Sequence, residues 1–340
     1  MASALNITCS MTPSGTTMDI SIIIVNWNSV AYLRACVASI RRFTEQLTYE
    51  IIIVDNASPA GDAQVIEFEF SDIVFIKSDE NLGFAGANNL GFRHSKGKYI
   101  LLLNPDVTLT TPLVNILYHC AQTMPQAGIF GAKLLNRDLT VQTSSIMQFP
   151  TIFRELLLWE YLRLRWPKMW GIESLFSQST KVAAVEAVSG ACMLMSRSLY
   201  ERVGMLSEDY FMYAEDIDLC YKVQRDGYTN YFVNEAEAIH YAGVSSPSKW
   251  QIAAKVTSMI RFSEKFYGSS YARSFHALLA LNALLRLGII YCIWLITQRD
   301  ALQASIIKWS TTLKTLFHTS KHRHMDPVLT MTEPNETSLQ

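Results

Sequence analysis

The chain has 340 residues, 49% of them hydrophobic, enough for a sizeable core and more than one structural unit. Its net charge of −1 conceals an asymmetry: residues 1–248 carry 18 basic and 25 acidic side chains, whereas residues 249–325 carry 11 basic and 2 acidic ones. Six cysteines (Cys9, Cys36, Cys120, Cys192, Cys220, Cys292) lie far apart with no CxxC pair, which excludes a disulfide scaffold and reads as buried thiols in a reducing compartment.

The first 18 residues lack a basic region followed by a long apolar run, so no secretory signal is expected there. The sequons at Asn6 and Asn335 are accordingly expected to be chance. "DISIIIVNWN" (19–28) predicts a buried strand, and a helix is expected over 29–42. "YEIIIVDNAS" (49–58) repeats the form and ends on Asp55, Asn56 and Ser58. "DIVFIKS" (72–78) predicts a third strand, and "NLGFAGANNLGFRHSKG" (81–97) a glycine-rich turn entering a short helix. In "YILLLNPDV" (99–107) four apolar residues suit a strand buried on both faces, which then stops on Asn-Pro-Asp. Taken alone that tripeptide is a turn, since Pro105 biases Asn104 toward extended geometry. A helix over 112–124 follows. Strands alternating with helices at these lengths predict an α/β fold, a mainly parallel sheet flanked by helices. Ligands of such sheets bind beyond the carboxyl ends of the strands. Trp27, Asn28, Asp55, Asn104 and Asp106 should therefore converge on one crevice.

"TIFRELLLWEYLRLRWPKMWG" (151–171) combines tryptophans with Arg154, Arg163, Arg165 and Lys168. It reads as a helix packed on the core, or alternatively as an interfacial or acceptor-binding helix. "VEAVSGACMLMSRSLYERVG" (185–204) predicts a strand with a Ser-Gly-Ala break and then a helix. "MYAEDIDLCYKVQRDGY" (212–228) places Glu215, Asp216 and Asp218 at a helix start, where acids complement the dipole. "NYFVNEAEAIHYAGVSS" (230–246) supplies a strand and then His240 in a small-residue loop. "FHALLALNALLRLGIIYCIWLITQR" (275–299) is long enough to span a bilayer, but Arg286 sits at its middle. With the surrounding lysines and arginines it predicts a helical hairpin lying on or dipping into an anionic membrane surface. A spanning helix and a soluble helical interface are the alternatives. The expected division is a flexible 1–18, a body over 19–248 (halves 19–135 and 136–248), a basic apolar helical region over 249–320 and a flexible tail over 321–340.

The crevice would offer an aromatic ring, Trp27, and three acidic positions, Asp55, Asp106 and Glu215/Asp216, with His240. A flat ring beside an Asp suits a nucleobase. One Asp with a distant His makes a poor all-protein metal cage, but a good site for Mg²⁺ or Mn²⁺ when a diphosphate supplies oxygens. A carboxylate at a helix start could serve as base for an attacking hydroxyl.

"SIIIVNWNS", "IIIVDNAS", "NLGFAGANNLG", "LLLNPDV", "SGACMLMSRSLYERVG", "YFMYAEDIDLC" and "HYAGVSS" occur in the order and spacing of inverting family 2 glycosyltransferases with a GT-A (Rossmann-like) fold. Residues 19–248 resemble that family, and its bacterial rhamnosyltransferase branch above all. The resemblance implies that Asp55 contacts the nucleobase and Trp27 flanks it. Asn81, Gly83 and Asn88 would shape the sugar-nucleotide loop. "NPD" would stand where the family has a DxD-type element, with Asp106 on the metal, Asn104 near the ribose or diphosphate, and His240 completing the site. Asp216 would be the catalytic base, with Glu215 beside it. Asn104 departs from a full DxD by losing a charge, so metal binding should lean more on substrate phosphates.

The implied donor is a nucleotide sugar, dTDP-rhamnose, and the acceptor lipid-linked or polysaccharide. The enzyme would sit, peripheral or monotopic, on the cytoplasmic face of a bacterial inner membrane, with its C-terminal helical segment associating with the membrane and no nucleic acid as partner. A UDP-sugar donor, or an inactive membrane-bound sugar-nucleotide binding protein, are the alternatives. A Rossmann dehydrogenase is excluded because no GxGxxG follows the first strand. A nucleotidylyltransferase would need a glycine-rich basic loop where "NWNSVAYLR" stands.

Overall fold

The structure, a computed structural model, describes residues 7–8, 18–59, 62–156, 166, 175–177, 181–241, 248–297 and 302–319. The expected flexible tail, most of the expected flexible 1–18, both sequon asparagines and most of the 151–180 region lie outside the described residues; within 1–18, Ile7 and Thr8 form a short strand paired antiparallel with Ile76 and Phe75.

In chain order the elements are β1 (Ile7–Thr8), β2 (Ile20–Asn26), α1 (Val30–Phe43), β3 (Tyr49–Asp55), α2 (Asp62–Glu69), β4 (Val74–Lys77), α3 (Gly83–Arg93), β5 (Tyr99–Leu103), β6 (Val107–Leu109) and α4 (Leu113–Thr123). They continue with β7 (Ala127–Leu135), β8 (Ile146–Met147), α5 (Ile152–Leu156), β9 (Val182–Val185), β10 (Ala187–Val188), β11 (Cys192–Ser196), α6 (Arg197–Arg202), α7 (Glu215–Arg225) and β12 (Thr229–His240). Three helices close the described chain: α8 (Ser248–Tyr267), α9 (Ser269–Thr297) and α10 (Gln303–Thr319). The chain divides into two compact units, one of residues 1–149, 162–210 and 214–245, the other of 150–161, 211–213 and 246–340.

The first unit is an α/β fold of GT-A type around a ten-stranded sheet, ordered β1-β4-β3-β2-β5-β11-β7-β12-β6, with β9 on β12. β4, β3, β2 and β5 run parallel. β2 is Ile-rich and buried on both faces, as a central parallel strand requires. Beyond β5 the sheet is mixed, because β11 enters antiparallel between β5 and β7. α1 buries Leu33, Cys36, Val37 and Ile40, one helical stripe, onto this sheet. α3 approaches closely through Gly91, where a Cβ would fall 2.6 Å from Ile23 Cγ2 and 3.1 Å from Val54 Cγ2. Cys36, Cys192 and Cys220 are buried thiols, and burial pushes Cys192 up to about 12. The register levels the polar strand ends: Asn26 pairs with Asp55, and Ile24 with Leu103 just before the Asn-Pro-Asp turn.

Three sequence expectations change. α2 has no counterpart among them; its weak amphipathicity left no periodic signal. His240 is the last residue of β12, paired with Val107, and not part of a loop. The basic C-terminal region holds three long helices among the described residues: α9 and α10 pack on each other as a hairpin would, and α8 adds a third. In the second unit these helices pack around Val256, Phe275, Leu279 and Leu316, with Ile152 of α5 against the cluster.

Candidate active site

The carboxyl ends of β2 and β3 form one hydrogen-bonded turn pair. Asn26 Nδ2 donates to Asp55 Oδ1 (2.9 Å) and to Ser58 Oγ (3.2 Å), while Ser58 N–H donates to Asp55 Oδ2 (3.3 Å). Ser58 Oγ in turn accepts from Asn28 N–H at 3.0 Å. Asn28 and Ala57 hold positive φ angles of 52° and 59°, conformations that cost a non-glycine residue about 1–3 kcal/mol and persist where surroundings impose them. Asp55 has no exposed surface and Trp27 is half-buried. Asp55 is thus the buried post of the turn from which Trp27 projects.

Asn56 ties the glycine-rich turn to β3. Its Nδ2 donates to Asn81 Oδ1 (2.9 Å) and Gly83 O (3.2 Å), and its Oδ1 accepts from Leu82 N–H (2.8 Å). Gly83 adopts φ 71°, a conformation that favours glycine. Asn88 is buried, donating to Phe84 O one turn back (2.9 Å). Its neighbour Asn89 spans further: Nδ2 donates to Leu206 O (2.9 Å) and Glu208 Oε1 (2.8 Å), and Oδ1 accepts from Tyr200 OH (2.7 Å). Asn56 and Asn89 also hold the loop; sequence reasoning noted Asn56 only as a strand end and passed over Asn89.

The Asn-Pro-Asp turn does bring its carboxylate to the histidine. Asp106 Oδ1 lies 3.4 Å from His240 Nε2, and both side chains are largely buried. Behind the ring stands Gln142, unremarked in the sequence, with Oε1 3.0 Å from His240 Nδ1 and Nε2 donating to His240 O (2.7 Å). Asn104 Oδ1 is buried with no hydrogen-bond partner. Among the described residues no group of three or more His, Cys, Asp or Glu gathers to hold a metal. The residues present nevertheless fit an ion completed by substrate. A carboxylate oxygen and an imidazole nitrogen 3.4 Å apart could together hold a divalent ion, with diphosphate oxygens supplying the remaining donors. The orphaned Asn104 oxygen is a further neutral donor atom.

Glu215 and Asp216 open α7 in contrasting surroundings. Tyr213 and Ala214, just before them, both hold positive φ (71° and 69°). Glu215 is buried with Oε2 unpartnered, and burial, reinforced by the neighbouring Asp216 charge, holds its carboxyl well above the usual range. Asp216 is half-buried and accepts from Gly190 N–H (2.9 Å) and Ile217 N–H (2.8 Å). Asp218, by contrast, is a packed structural acid held by Ser207 Oγ (2.7 Å), Tyr210 OH (3.1 Å) and Lys222 (3.3 Å). The Ser-Gly-Ala break links the two chemical centres: Ala191 O accepts from Asn104 N–H (3.0 Å), and Gly190 reaches Asp216. A Cβ on Gly190 would sit 3.1 Å from Asp216 Cβ and 3.2 Å from its Oδ2, a tight contact that the acid would have to relieve by a few tenths of an ångström.

A GT-A fold with these polar residues at its strand ends defines a glycosyltransferase. The chain belongs to Glycosyl transferase family 2, whose profile matches residues 21–204. It is 29% identical to the low-salt glycan biosynthesis hexosyltransferase Agl10 of Haloferax volcanii over 65% of this chain and 67% of that one. It is 27% identical to the N-acetylglucosaminyl-diphospho-decaprenol L-rhamnosyltransferase of Mycobacterium tuberculosis, over 66% and 76% of the two chains. The rhamnosyltransferase WbbL of Escherichia coli K12 is 28% identical over 65% of this chain and 83% of its own. Among solved structures, the mannosyltransferase PcManGT of Pyrobaculum calidifontis, in complex with GDP-Man and Mn²⁺, superposes with a TM-score of 0.57 at 14% identity, covering 92% of each chain. That likeness shows the fold.

Proposed function

We propose that this glycosyltransferase is metal-dependent and inverting, and that it moves L-rhamnose from dTDP-rhamnose to a lipid-linked acceptor in cell-surface glycan assembly. The observation that carries the reading is the pairing of Asp106 with His240, joined through Ala191 and Gly190 to Asp216. Two of the relatives named above are rhamnosyltransferases, one of them acting on a diphospho-decaprenol-linked sugar, which supports the donor and the acceptor class.

In this reading Trp27 flanks the nucleobase, and Asp55, expected to contact the base, has no exposed surface and both oxygens taken by Asn26 and Ser58, so it acts by fixing the turn that carries Trp27. Asn81, Gly83 and Asn88 shape the loop over the sugar nucleotide. Asp106 and His240, with Asn104 beside them, hold Mg²⁺ or Mn²⁺, which when bound offsets the charge on the departing nucleoside diphosphate. The acceptor hydroxyl oxygen attacks the anomeric carbon, its proton passes to the Asp216 carboxylate, and the bond from that carbon to the diphosphate oxygen breaks. Glu215, whose carboxyl burial and then the Asp216 charge raise above the usual range, stands beside Asp216 in support. The enzyme works at the cytoplasmic face of a bacterial inner membrane, held by its C-terminal helices. In their favour, α9 is long and apolar enough to cross a membrane, and 11% of its most apolar window is buried.

The test is donor selection by thermal shift, with dTDP-rhamnose, UDP-sugars and GDP-sugars each measured with and without Mn²⁺. Ligand at 100 times Kd adds about 2.7 kcal/mol, a shift of a few degrees. A Mn²⁺-dependent shift with dTDP-rhamnose alone is expected. A shift confined to a UDP-sugar would discard rhamnose, and none at all would favour a protein without catalysis.

A further inference from the structure

We infer that Gln142 is a positioning residue that fixes the His240 ring so that its Nε2 lone pair faces the ion. The inference rests on the reading of Asp106 and His240 as metal ligands.

The orientation of the Gln142 amide follows from its partners. The His240 carbonyl oxygen can only accept, so the amide atom 2.7 Å away is the NH₂ group. The other end is then the oxygen, which also only accepts. Since it lies 3.0 Å from His240 Nδ1, that nitrogen carries the proton. In neutral imidazole the second nitrogen is bare, and Nε2 is the one that faces Asp106 Oδ1 at 3.4 Å. Two acceptors so placed leave a gap suited to a cation. Gln142 is itself held rigid: its N–H donates to Leu134 O (2.8 Å), and its carbonyl accepts from Ser145 N–H (3.0 Å) and Ser145 Oγ (2.6 Å). It is 8% exposed and grips both the main chain and the ring of one residue. Histidines that bind metals are oriented in this way by an acceptor on their far nitrogen.

The full-length chain, labelled with ¹⁵N-histidine, reports the tautomer directly. Long-range ¹H–¹⁵N correlations, assigned by difference with His240→Ala, should show His240 protonated on Nδ1 in the metal-free protein. Protonation on Nε2 alone would overturn the inference. Mn²⁺ binding by calorimetry, with dTDP and UDP as diphosphate probes, gives the second readout. Gln142→Met should weaken it about 10–100-fold, the usual effect of removing such a support. Gln142→Glu, which keeps an acceptor for Nδ1 but loses the donor to the His240 carbonyl, should recover part of the loss. In a His240→Ala background Gln142→Met should cost nothing further, because its effect passes through the ring. An equal loss in both backgrounds, or Mn²⁺ binding that Gln142→Met leaves unchanged, would overturn the inference alone. A wild-type protein that keeps the Nδ1–H form but binds no Mn²⁺ would overturn the metal-site reading, and this role with it.

Discussion

Adjacent carboxyl groups at the start of α7 face opposite environments, and the proposed mechanism gives them different roles. Asp216 accepts two backbone N–H bonds and keeps some solvent contact; Glu215 is buried with an unpartnered oxygen. Asp216→Asn should lower kcat by about 10²–10⁴-fold, the range of a general base. Its NH₂ group would also face a backbone N–H, so donor binding by thermal shift is the control: binding kept with turnover lost is expected, and near-normal turnover would remove Asp216 from the role. Glu215 yields a stability prediction. Its folded-state carboxyl is raised by burial and then by Asp216, so between the ordinary glutamate range and that raised value the folded state holds a proton the unfolded state has released. Stability therefore falls as the pH rises through this window. Glu215→Gln removes the liability. In urea denaturation at pH 5 and pH 8, the variant should gain on the wild type at the higher pH. A gap independent of pH would show that the carboxyl titrates normally.

Helix α3 is seated by the absence of a side chain. An alanine at Gly91 would gain about 1 kcal/mol of helix propensity. Its Cβ, however, would meet Ile23 Cγ2 at 2.6 Å, a methyl on a β-branched side chain with little rotamer freedom, in the fully buried face of β2. Overpacking of this kind costs about 1–3 kcal/mol, so the loss should outweigh the gain. Gly91→Ala should lower Tm by several degrees, whereas an unchanged Tm would mean that α3 lifts without penalty. Elements whose signal is local were legible in the sequence. β2, β3 and β5 announce themselves as apolar runs, and α7 by its acidic start. α2 was invisible because its residues lack a clear apolar face. The order of the sheet was also out of reach, since β11 meets β5 across 89 to 97 residues of chain. The site divides the same way. Asn104, Asp106 and Asp216 could be singled out as candidates by type and place, His240 by type alone, since the sequence puts it in a loop and it ends β12. Asn89 and Gln142 could not, because their partners lie 111 to 119 and 98 residues away and nothing local marks them.

For the molecule as a whole, the charge asymmetry and the C-terminal helices point to one surface. In the sequence Arg286, at the middle of the apolar run, speaks against a spanning helix. The structure turns it the other way: Ala272, Phe275, Leu279 and Ala283 form the packed stripe of α9, and Arg286 continues it. Its Nε donates to Asn282 Oδ1 (2.8 Å), and the guanidinium lies 4.4 Å from the ring centroid of Trp309 on α10. Away from that stripe, Leu281, Leu284, Leu285, Ile289 and Ile296 are exposed apolar side chains. Such a surface suits partial immersion in a bilayer, with the surrounding lysines and arginines on anionic headgroups. The full-length protein should co-sediment with anionic vesicles, and raised salt should weaken the binding without abolishing it, since screening removes only the electrostatic part. Replacing Leu284, Leu285 and Ile289 with serine separates the two contributions. Fully burying one such side chain is worth about 1.5–3 kcal/mol. Half of that for each gives on the order of 3 kcal/mol in all, a loss of about 100-fold in partitioning. These three are exposed, so Tm and donor-induced shifts should stay as in the wild type. Binding that vanishes in salt and ignores the serine variant would mean that the helix rests on charge alone and never enters the apolar layer.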